Sequence, residues 1–386
     1  MQERSHASID EIDPRSWNAL AGTRVPFLRH EFLAALEHTG CVGPGTGWQS
    51  AYVTLWDDAG LAAAAPAFIK SHSYGEFVFD FGWAEAYAHH GRAYYPKLAV
   101  CIPFTPATCA RLLVRPDLDS AALEARLVGT VAGFAAARRL SSAHALFLDG
   151  SGRAAFQQAG WLLRRDCQFL WHNHGYADFE AYLATFTAEK RKKARRERRR
   201  VAEQGIRFET RFGPELDPPL LAAVYGFHRD TFLRHGNEPY LTLEFFSEVA
   251  RTLGDALMVK VALMGGRPVA AAIFFWCPEA LYGRYWGAAV EHHSLHFEAC
   301  YHQGIEFCIE RGVARFEPGT QGEHKVARGF SPTLTWSAHS ITDRAFREAV
   351  RDFLVREGRA VDAYAAEVGA HVPYRREPEP AREPQP

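Results

Sequence analysis

The chain has 386 residues and a mass of 43.2 kDa, and about 100–200 residues per domain favour two domains. Its composition, with 47% hydrophobic, 13% aromatic and 23% charged residues, excludes a collagen-like, disordered or disulfide-scaffold protein. The formal net charge of −1 gives no indication of a nucleic-acid partner for the chain as a whole.

The ends of the chain and its cysteines indicate the compartment. Residues 1–11 carry charged side chains and no apolar block, so they do not resemble a secretory signal. The longest apolar stretches are about half as long as a membrane-spanning helix needs. The seven cysteines form no C-x-x-C pair, which argues against a zinc site and a disulfide framework and favours the cytoplasm. Residues 371–386, rich in Glu, Pro and Arg, are expected to be a disordered tail.

The first half is predicted to alternate helices and strands. Apolar residues with a helical period predict a helix over Phe27–His38. Val53–Trp56 and Leu61–Ile69 are predicted strands joined by a turn, and the aromatic segment Phe77–Trp83 is a predicted third strand. An alanine-rich helix over Leu123–Leu140 then precedes a strand at His144–Leu148.

The second half shows the same kinds of element. Helices are predicted over Asp178–Glu203, Leu220–Leu233, Glu244–Leu253, Ser294–Arg311 and Ala345–Glu357. Strands are predicted over Leu257–Met264, Pro268–Trp276, Leu281–Gly287 and Ala314–Glu317. Interleaved helices and hairpins favour an α/β protein with mixed sheets.

The two halves share an order of strand, turn, strand and aromatic strand. Trp83 and Trp286 lie 203 residues apart, and Val53 and Val259 lie 206 apart. This near-constant offset indicates a duplicated unit, although hairpins are common in any α/β protein. We expect one domain over residues 1–165 and a second over 166–370.

A basic run is the sharpest local signal. Residues 190–200 contain nine Lys or Arg and one acid, a net charge of +8. On a helix such a run is charged on every side, which a nearby polyanion would stabilise. A solvated helix is the alternative, and a membrane surface is disfavoured because no apolar face accompanies the charges. The expected anion-binding residues are Lys190, Arg191, Lys192, Lys193, Arg195, Arg196 and Arg199.

Two later segments contain candidate catalytic groups. The helix that begins at Ser294 follows an aromatic strand directly, a position where α/β sheets bind ligands. Glu298 and His302 share a face of this helix and could act as a base and its orienting group, although an amphipathic helix with both side chains in water explains the same spacing. The loop Glu317–Phe330 adds a general base and cations. Because motifs for ATP, dinucleotides, a serine nucleophile and metals are absent from the sequence, no tightly bound cofactor is expected.

Segments in both halves carry a resemblance to a known family. They are His72–Asp80, Tyr94–Leu98, Pro103–Pro106, Leu281–Gly287, Leu295–Tyr301 and Gly319–Phe330. Together with the basic run that begins at Lys190, they closely resemble the FemAB-like N-acyltransferase family over about residues 28–357. Ala288 stands where a cysteine is common in the family, so no nucleophile is expected there.

The resemblance implies two tandem GNAT-like acyltransferase domains and an enzyme that forms an amide from an activated donor and an amine. Relatives in the Fem group transfer an aminoacyl group from aminoacyl-tRNA to a peptidoglycan precursor, whereas ordinary GNAT enzymes use acyl-CoA. The CoA-binding loop is missing and a basic helix is present, which favours aminoacyl-tRNA over acyl-CoA. The alternative is a non-catalytic RNA-binding or structural protein that retains the fold.

We expect the active site in the second domain. The expected catalytic residues are Glu298, Glu323, His324 and Lys325, with the general base at Glu298 or His324. The expected substrate contacts are Arg284, Tyr285, Trp286, His296, Tyr301, His302, Gln321 and Arg328. If neither base is correct, the region around Glu76 and Asp80 is the next choice. The acceptor is expected to be an amine-bearing small molecule or a peptidoglycan precursor.

Overall fold

The computed structural model describes residues 1–22, 24–289, 292–320 and 322–375, and these form fifteen strands and twelve α-helices. The strands are β1 (Gln2–His6), β2 (Trp48–Ser50), β3 (Tyr52–Asp57), β4 (Gly60–Ala65), β5 (Ala67–Lys70), β6 (Lys97–Val100), β7 (Leu113–Val114), β8 (Ser142–Ala145), β9 (Leu162–His172), β10 (Ile206–Phe212), β11 (Leu257–Met264), β12 (Arg267–Cys277), β13 (Ala280–Ala288), β14 (Arg315–Glu317) and β15 (Ser331–Ile341).

The helices are α1 (Pro14–Ala21), α2 (His30–His38), α3 (Phe81–His89), α4 (Ser120–Ala137), α5 (Gly150–Gln158), α6 (Phe179–Ala184), α7 (Ala188–Glu203), α8 (Pro218–Arg234), α9 (Leu243–Thr252), α10 (Leu295–Phe297), α11 (Gln303–Arg311) and α12 (Arg344–Gly369). A π-helical turn over Glu298–His302 joins α10 to α11. None of the helices in the described part of the chain combines the length and the apolar composition that spanning a bilayer requires.

One large sheet runs through both halves of the chain. Its eleven strands lie in the order β10-β11-β12-β13-β14-β9-β15-β8-β6-β5-β2, and a second sheet has the order β1-β3-β4-β7. The pairs β13–β14 and β6–β8 are parallel, whereas hairpins such as β11–β12 are antiparallel. This confirms the α/β class with mixed sheets. The domain boundary expected after residue 165 lies within β9, and the division into two domains stays a prediction.

The aromatic segment Phe77–Trp83 is not a strand, so that prediction was wrong. Phe77 has a φ of 60°, which is incompatible with an extended chain, and α3 begins four residues later. Trp83 therefore lies on a helix, whereas Trp286 lies on β13. Both halves contain the expected hairpin, as β3–β4 and β11–β12, but the third strand exists only in the second half.

Other expected elements are divided by local chemistry. Pro66 interrupts the strand predicted over residues 61–69, because proline cannot donate a ladder hydrogen bond, and β4 and β5 join different sheets. The single helix predicted over residues 178–203 is two helices, α6 and α7. Between them Phe186 is fully buried, and the Thr187 N–H donates to the Pro373 carbonyl oxygen over 2.9 Å.

The start of the predicted disordered tail is folded. Tyr374 packs its ring 5.5 Å from that of Phe186, and the Arg375 N–H donates to the Thr185 carbonyl oxygen over 2.9 Å. Residues 371–375 were therefore wrongly placed in a disordered tail, and residues 376–386 lie outside the described residues.

The largest hydrophobic cluster joins the two halves. Phe27 is fully buried, and its ring lies 5.1 Å from Phe275 on β12 and 5.0 Å from Tyr282 on β13. Because apolar burial is the main stabilising contribution to folding, this shared core holds β12 and β13 in position for the site described next.

Candidate active site

The strands β13 and β14 separate after a short parallel contact. Only residues 280–282 of β13 pair with residues 315–317 of β14. Among the described residues, β13 then has no partner on this edge, while its other edge stays paired with β12 as far as Ala288. A β-bulge at Arg284 shifts the register with β12 by one residue and so sets which face each later side chain occupies. Tyr285 then packs on His228, and Trp286, on the opposite face, packs on His296. Bulges of this kind re-aim side chains beside active sites.

Helix α8 packs closely on this free end of β13. A Cβ atom on Gly287 would lie 2.0 Å from the backbone of Phe227, so only glycine permits the contact. The contact places the end of α8 beside the start of α10, and the two elements enclose a cavity between them.

The π-helical turn buries the acid and the histidine that share a helix face. Glu298 and His302 are only 3% and 1% exposed. Glu298 Oε1 accepts from Gln303 Nε2 at 2.8 Å and from Arg198 Nε at 3.2 Å. Glu298 Oε2 is buried and has no hydrogen-bond partner in the part of the chain that the structure describes. The alternative that placed both side chains in water is therefore wrong.

Helix α7 covers this turn with one face. Ala194, Glu197 and Val201 are buried on it. The expectation that the basic run is charged on every side was therefore wrong. Glu197 lies 3.3 Å from His302 Nε2 and accepts from Arg328 Nη2 at 2.7 Å. Arg198 Nη2 also donates to Glu306 over 2.7 Å.

The outward face of α7 keeps most of its positive charge. Lys190 and Arg191 are half-buried, and the exposed cations are Lys192, Lys193, Arg195, Arg196, Arg199 and Arg200. Arg195 pairs with Glu180 and Arg199 with Glu203, but exposed pairs of this kind contribute little to stability.

Several expected site residues form one cluster beside α10. The Tyr301 hydroxyl lies 2.8 Å from His324 Nε2, and the His296 ring lies 5.5 Å from Tyr301 and 6.0 Å from His324. The Arg328 guanidinium lies 3.5 Å above the ring of Phe297. Lys325 is buried next to the cluster and donates from Nζ to the Gly319 carbonyl oxygen over 2.6 Å.

Burial disfavours the charged forms of His296, His324 and Lys325 in this cluster. It lowers the pKa of His296 to about 4, and the charges of His324, Arg328 and Lys325 act in the same direction. Partial enclosure, followed by the charges of Lys325 and Arg328, also lowers the pKa of His324. Burial lowers the pKa of Lys325 to about 7. Both imidazoles are therefore neutral at neutral pH and able to accept a proton.

A cavity of about 690 Å³ lies between the end of β13, the end of α8 and the start of α10. Of the cluster, His296 lines this cavity, and Trp286 of β13 lines it beside His296. The rest of its wall includes Thr231, Arg234, His235, Ala288, His292 and His293. His293 Nε2 lies 2.8 Å from Arg200 Nη1, so the cavity joins the basic face of α7.

The structure brings some expected residues together and separates others. Trp286 and His296 reach the cavity, and Tyr301, His324, Lys325 and Arg328 lie behind or beside His296. Arg284 instead donates to the Phe104 carbonyl oxygen of the first half, and exposed Glu323 accepts from Tyr364. Tyr285, Glu298 and His302 do not line this cavity. Gln321 lies outside the described residues.

Sequence reasoning missed several residues around the site. Glu197 contacts both His302 and Arg328. It is the single acid of the basic run, and this isolated negative charge was the feature of the sequence that could have marked it as a site residue. Arg234 and His292 line the cavity without belonging to any recognisable motif.

Comparison with known proteins identifies the family. A family profile described as FemAB-like, peptidoglycan biosynthesis/recognition, matches residues 8–376. A search of curated proteins found no significant match.

Solved structures share the fold at low sequence identity. The C-terminal domain of a protein assigned as a lysylphosphatidylglycerol synthetase from Agrobacterium fabrum is 12% identical, with a TM-score of 0.53 over 90% of this chain and 97% of that one. L-PGS from Bacillus licheniformis is 12% identical, with a TM-score of 0.50 over 91% and 97%. FemX is 9% identical, with a TM-score of 0.52 over 91% of this chain and 100% of its own.

These structural likenesses concern the fold alone. The family profile covers nearly the whole chain, from the first 3₁₀ turn to the segment after α12. The chain therefore belongs to the FemAB-like family, whose description is peptidoglycan biosynthesis/recognition.

Proposed function

We propose that this protein is an N-acyltransferase that transfers an acyl or aminoacyl group to an amine, forming an amide at the cavity between β13 and α10. One observation carries the proposal. The cavity of about 690 Å³ has the neutral imidazole of His296 at one wall, with the His324 ring 6.0 Å from it, and the basic face of α7 at its rim.

The donor in this proposal is aminoacyl-tRNA rather than acyl-CoA. Six exposed cations on α7 suit a long polyanion better than a single pyrophosphate, because each contacted phosphate adds affinity by counterion release. The Arg200–His293 contact leads from this helix to the cavity. A tRNA bound on α7 would therefore have its aminoacylated end near His296.

His324 is the proposed general base. The acceptor arrives as an ammonium group, and its proton passes by way of His296, which lines the cavity, to a ring nitrogen of His324, whose ring lies 6.0 Å from that of His296. The amine nitrogen then attacks the donor carbonyl carbon. The new C–N bond forms while the bond from the carbonyl carbon to the donor oxygen breaks, and the leaving oxygen takes the second proton that the attacking nitrogen loses. Glu298 is less suited to this role because Arg198 and Gln303 already bind its carboxylate beneath α7.

The proposed acceptor is a peptidoglycan precursor with a free amine, which fits the description of the family. The proposed location is the cytoplasm, and the free state of all seven cysteines is compatible with it.

Labelled donors test the proposal directly. Purified protein would be incubated with a muramyl-pentapeptide precursor and either charged tRNA or labelled acetyl-CoA. We expect amide formation from charged tRNA, and a loss of about two to four orders of magnitude in rate for His324→Ala. His89→Ala, at an exposed residue of α3, is the matched control and should retain the wild-type rate. Absence of transfer from both donors would contradict the proposal, and transfer from acetyl-CoA alone would exclude the tRNA donor.

A further inference from the structure

The first half contains a buried group of charges far along the chain from the candidate site. Lys97 is fully buried, and its Nζ donates to Ser73 Oγ at 2.8 Å, Glu76 Oε2 at 2.8 Å and Asp80 Oδ2 at 2.5 Å. Ser73, Glu76 and Asp80 are each at most 3% exposed. The group is therefore isolated from bulk water.

Hydrogen bonds continue from this group to β15, an interior strand of the large sheet. The Tyr94 hydroxyl donates to Asp80 Oδ2 over 2.6 Å and lies 3.2 Å from His144 Nε2. His144 Nδ1 lies 2.7 Å from His339 Nδ1, where β8 pairs with β15. His339 Nε2 lies 2.9 Å from Ser337 Oγ. Six hydrogen-bond contacts thus connect Glu76 to Ser337 through buried side chains.

The two ends of this series of hydrogen bonds differ. At the inner end, Glu76 Oε1 is buried and has no hydrogen-bond partner within the described ranges. At the outer end, Ser337 lines a cavity of about 60 Å³ beside Arg164 and the exposed Asp166, which is large enough to hold water. The chain therefore leads from an unpaired carboxylate oxygen to a place where solvent can exchange protons.

A contribution to folding stability does not by itself explain why these polar side chains are buried together. Buried ionisable groups are commonly less stabilising than apolar side chains of the same volume. The backbone beside Glu76 is also strained, because Phe77 has a φ of 60° without being glycine, and strain of this kind concentrates at functional sites.

We propose that Glu76, Lys97, Asp80, Tyr94, His144, His339 and Ser337 form a proton path that connects the interior of the first half to the cavity at Ser337. The path goes beyond the proposed function and does not rest on it, because the proton released in amide formation is taken up by His324 in the second half. The seven groups move protons and are not assigned any bond to donor or acceptor.

Each transfer along the path breaks one O–H or N–H bond and forms the next. Lys97 gives a proton to Asp80 and takes one from Glu76, and the proton then passes through Tyr94 and the two imidazoles to Ser337. Glu76 ends as a carboxylate, a different proton leaves at Ser337, and no electrons are transferred.

The electrostatics of the groups fit these roles. Burial raises the pKa of Glu76 to about 7, against the opposing charges of Lys97 and Lys70, so this carboxyl exchanges protons near neutral pH. Burial lowers the pKa of His144 to about 3 and that of His339 well below its usual value, which leaves both rings neutral. Although burial alone would raise it, the Lys97 charge lowers the pKa of Asp80 to about 2, so Asp80 holds the proton only transiently.

Two neighbouring tyrosines provide the test and its control. Tyr94→Phe removes two contacts of the path, whereas Tyr95→Phe removes only a side contact to Ser73 Oγ at 2.8 Å. After a pH jump, infrared spectroscopy would follow the carboxyl band that disappears in Glu76→Gln. We expect Tyr94→Phe to slow its relaxation by about tenfold or more, and Tyr95→Phe to leave it unchanged.

Ser337→Ala gives an independent test at the outer end, and it decides the matter if Tyr94→Phe does not fold. It should slow the same relaxation without moving the melting temperature by more than a few degrees. Wild-type relaxation in folded Tyr94→Phe or in Ser337→Ala would overturn the path, as would a carboxyl band insensitive to Glu76→Gln. The infrared experiment contains neither acyl donor nor acceptor. Its outcome is therefore independent of the acyl-transfer assay, and failure of the proposed function can be distinguished from failure of the proton path.

Discussion

Two cations determine how His324 can act as a base. Partial enclosure lowers its pKa from the usual 6.5, and the neighbouring charges of Lys325 and Arg328 lower it further. A protonated imidazole cannot accept the amine proton, so the rate of acyl transfer should fall as the pH falls through this lowered pKa. The acid limb of the pH–rate profile is therefore expected below pH 6.5.

The first prediction concerns Lys325→Met. Removing this charge should raise the pKa of His324 toward its usual value and move the acid limb of kcat/KM to higher pH. Arg344→Met, which removes an exposed cation at the start of α12, should leave the limb in place. An unchanged limb in a Lys325→Met protein of normal melting temperature would show that His324 is not the base.

At the scale of elements, α7 has two faces with different tasks. Its inward face binds the helix opposite through Glu197 and Arg198, which contact His302, Glu298 and Glu306. Its outward face carries exposed cations that make few contacts and are available to an anion. Substitutions on the inward face should therefore lower stability, and substitutions on the outward face should change binding.

The second prediction reverses four outward charges, Lys192, Arg195, Arg196 and Arg199, to Glu. The variant should lose salt-dependent retention of tRNA while its melting temperature changes little, since exposed substitutions have small effects on stability. Four exposed arginines of α12, changed to Glu in the same way, provide the control: Arg344, Arg351, Arg356 and Arg359. Equal loss in both variants would indicate non-specific attraction, and wild-type protein that retains no tRNA would remove the main support for this donor.

For the whole molecule, the shared core predicts that the halves unfold together. Phe27 is contributed by the first half and packs between Phe32, Phe275 and Tyr282. The large sheet is also continuous, because β15 pairs with β9 on one side and β8 on the other. Neither half keeps a complete core when the other unfolds.

The third prediction is a single calorimetric transition that Phe27→Ala shifts as a unit. Truncating this fully buried ring should lower the free energy of unfolding by roughly 3–5 kcal/mol. Phe353→Ala, at a ring that is 38% exposed on α12, should have a much smaller effect. Two separate transitions, of which Phe27→Ala moves only one, would show that the halves are independent.

Local pattern was sufficient for much of the architecture. The hairpin β11–β12, the helices α4, α8 and α9, and β13 with its following helix could be predicted, because each has a strong period or a clear turn. The family resemblance could be recognised from motifs in both halves, and the profile match confirms it. The basic run also marked α7 correctly as a charged helix, although not which of its faces is buried.

What the tertiary structure decided depends on contacts between residues distant in the sequence. Arg198 lies 100 positions from Glu298, and His144 lies 195 positions from His339, so no local period reports either contact. The sequence by itself determined the class of fold, the family and the charged segments, because composition, periodicity and motif are local properties. The burial of Glu298, the helix at Trp83 and the polar chain behind Lys97 arise only from packing, because a side chain's environment is set by whichever distant element covers it.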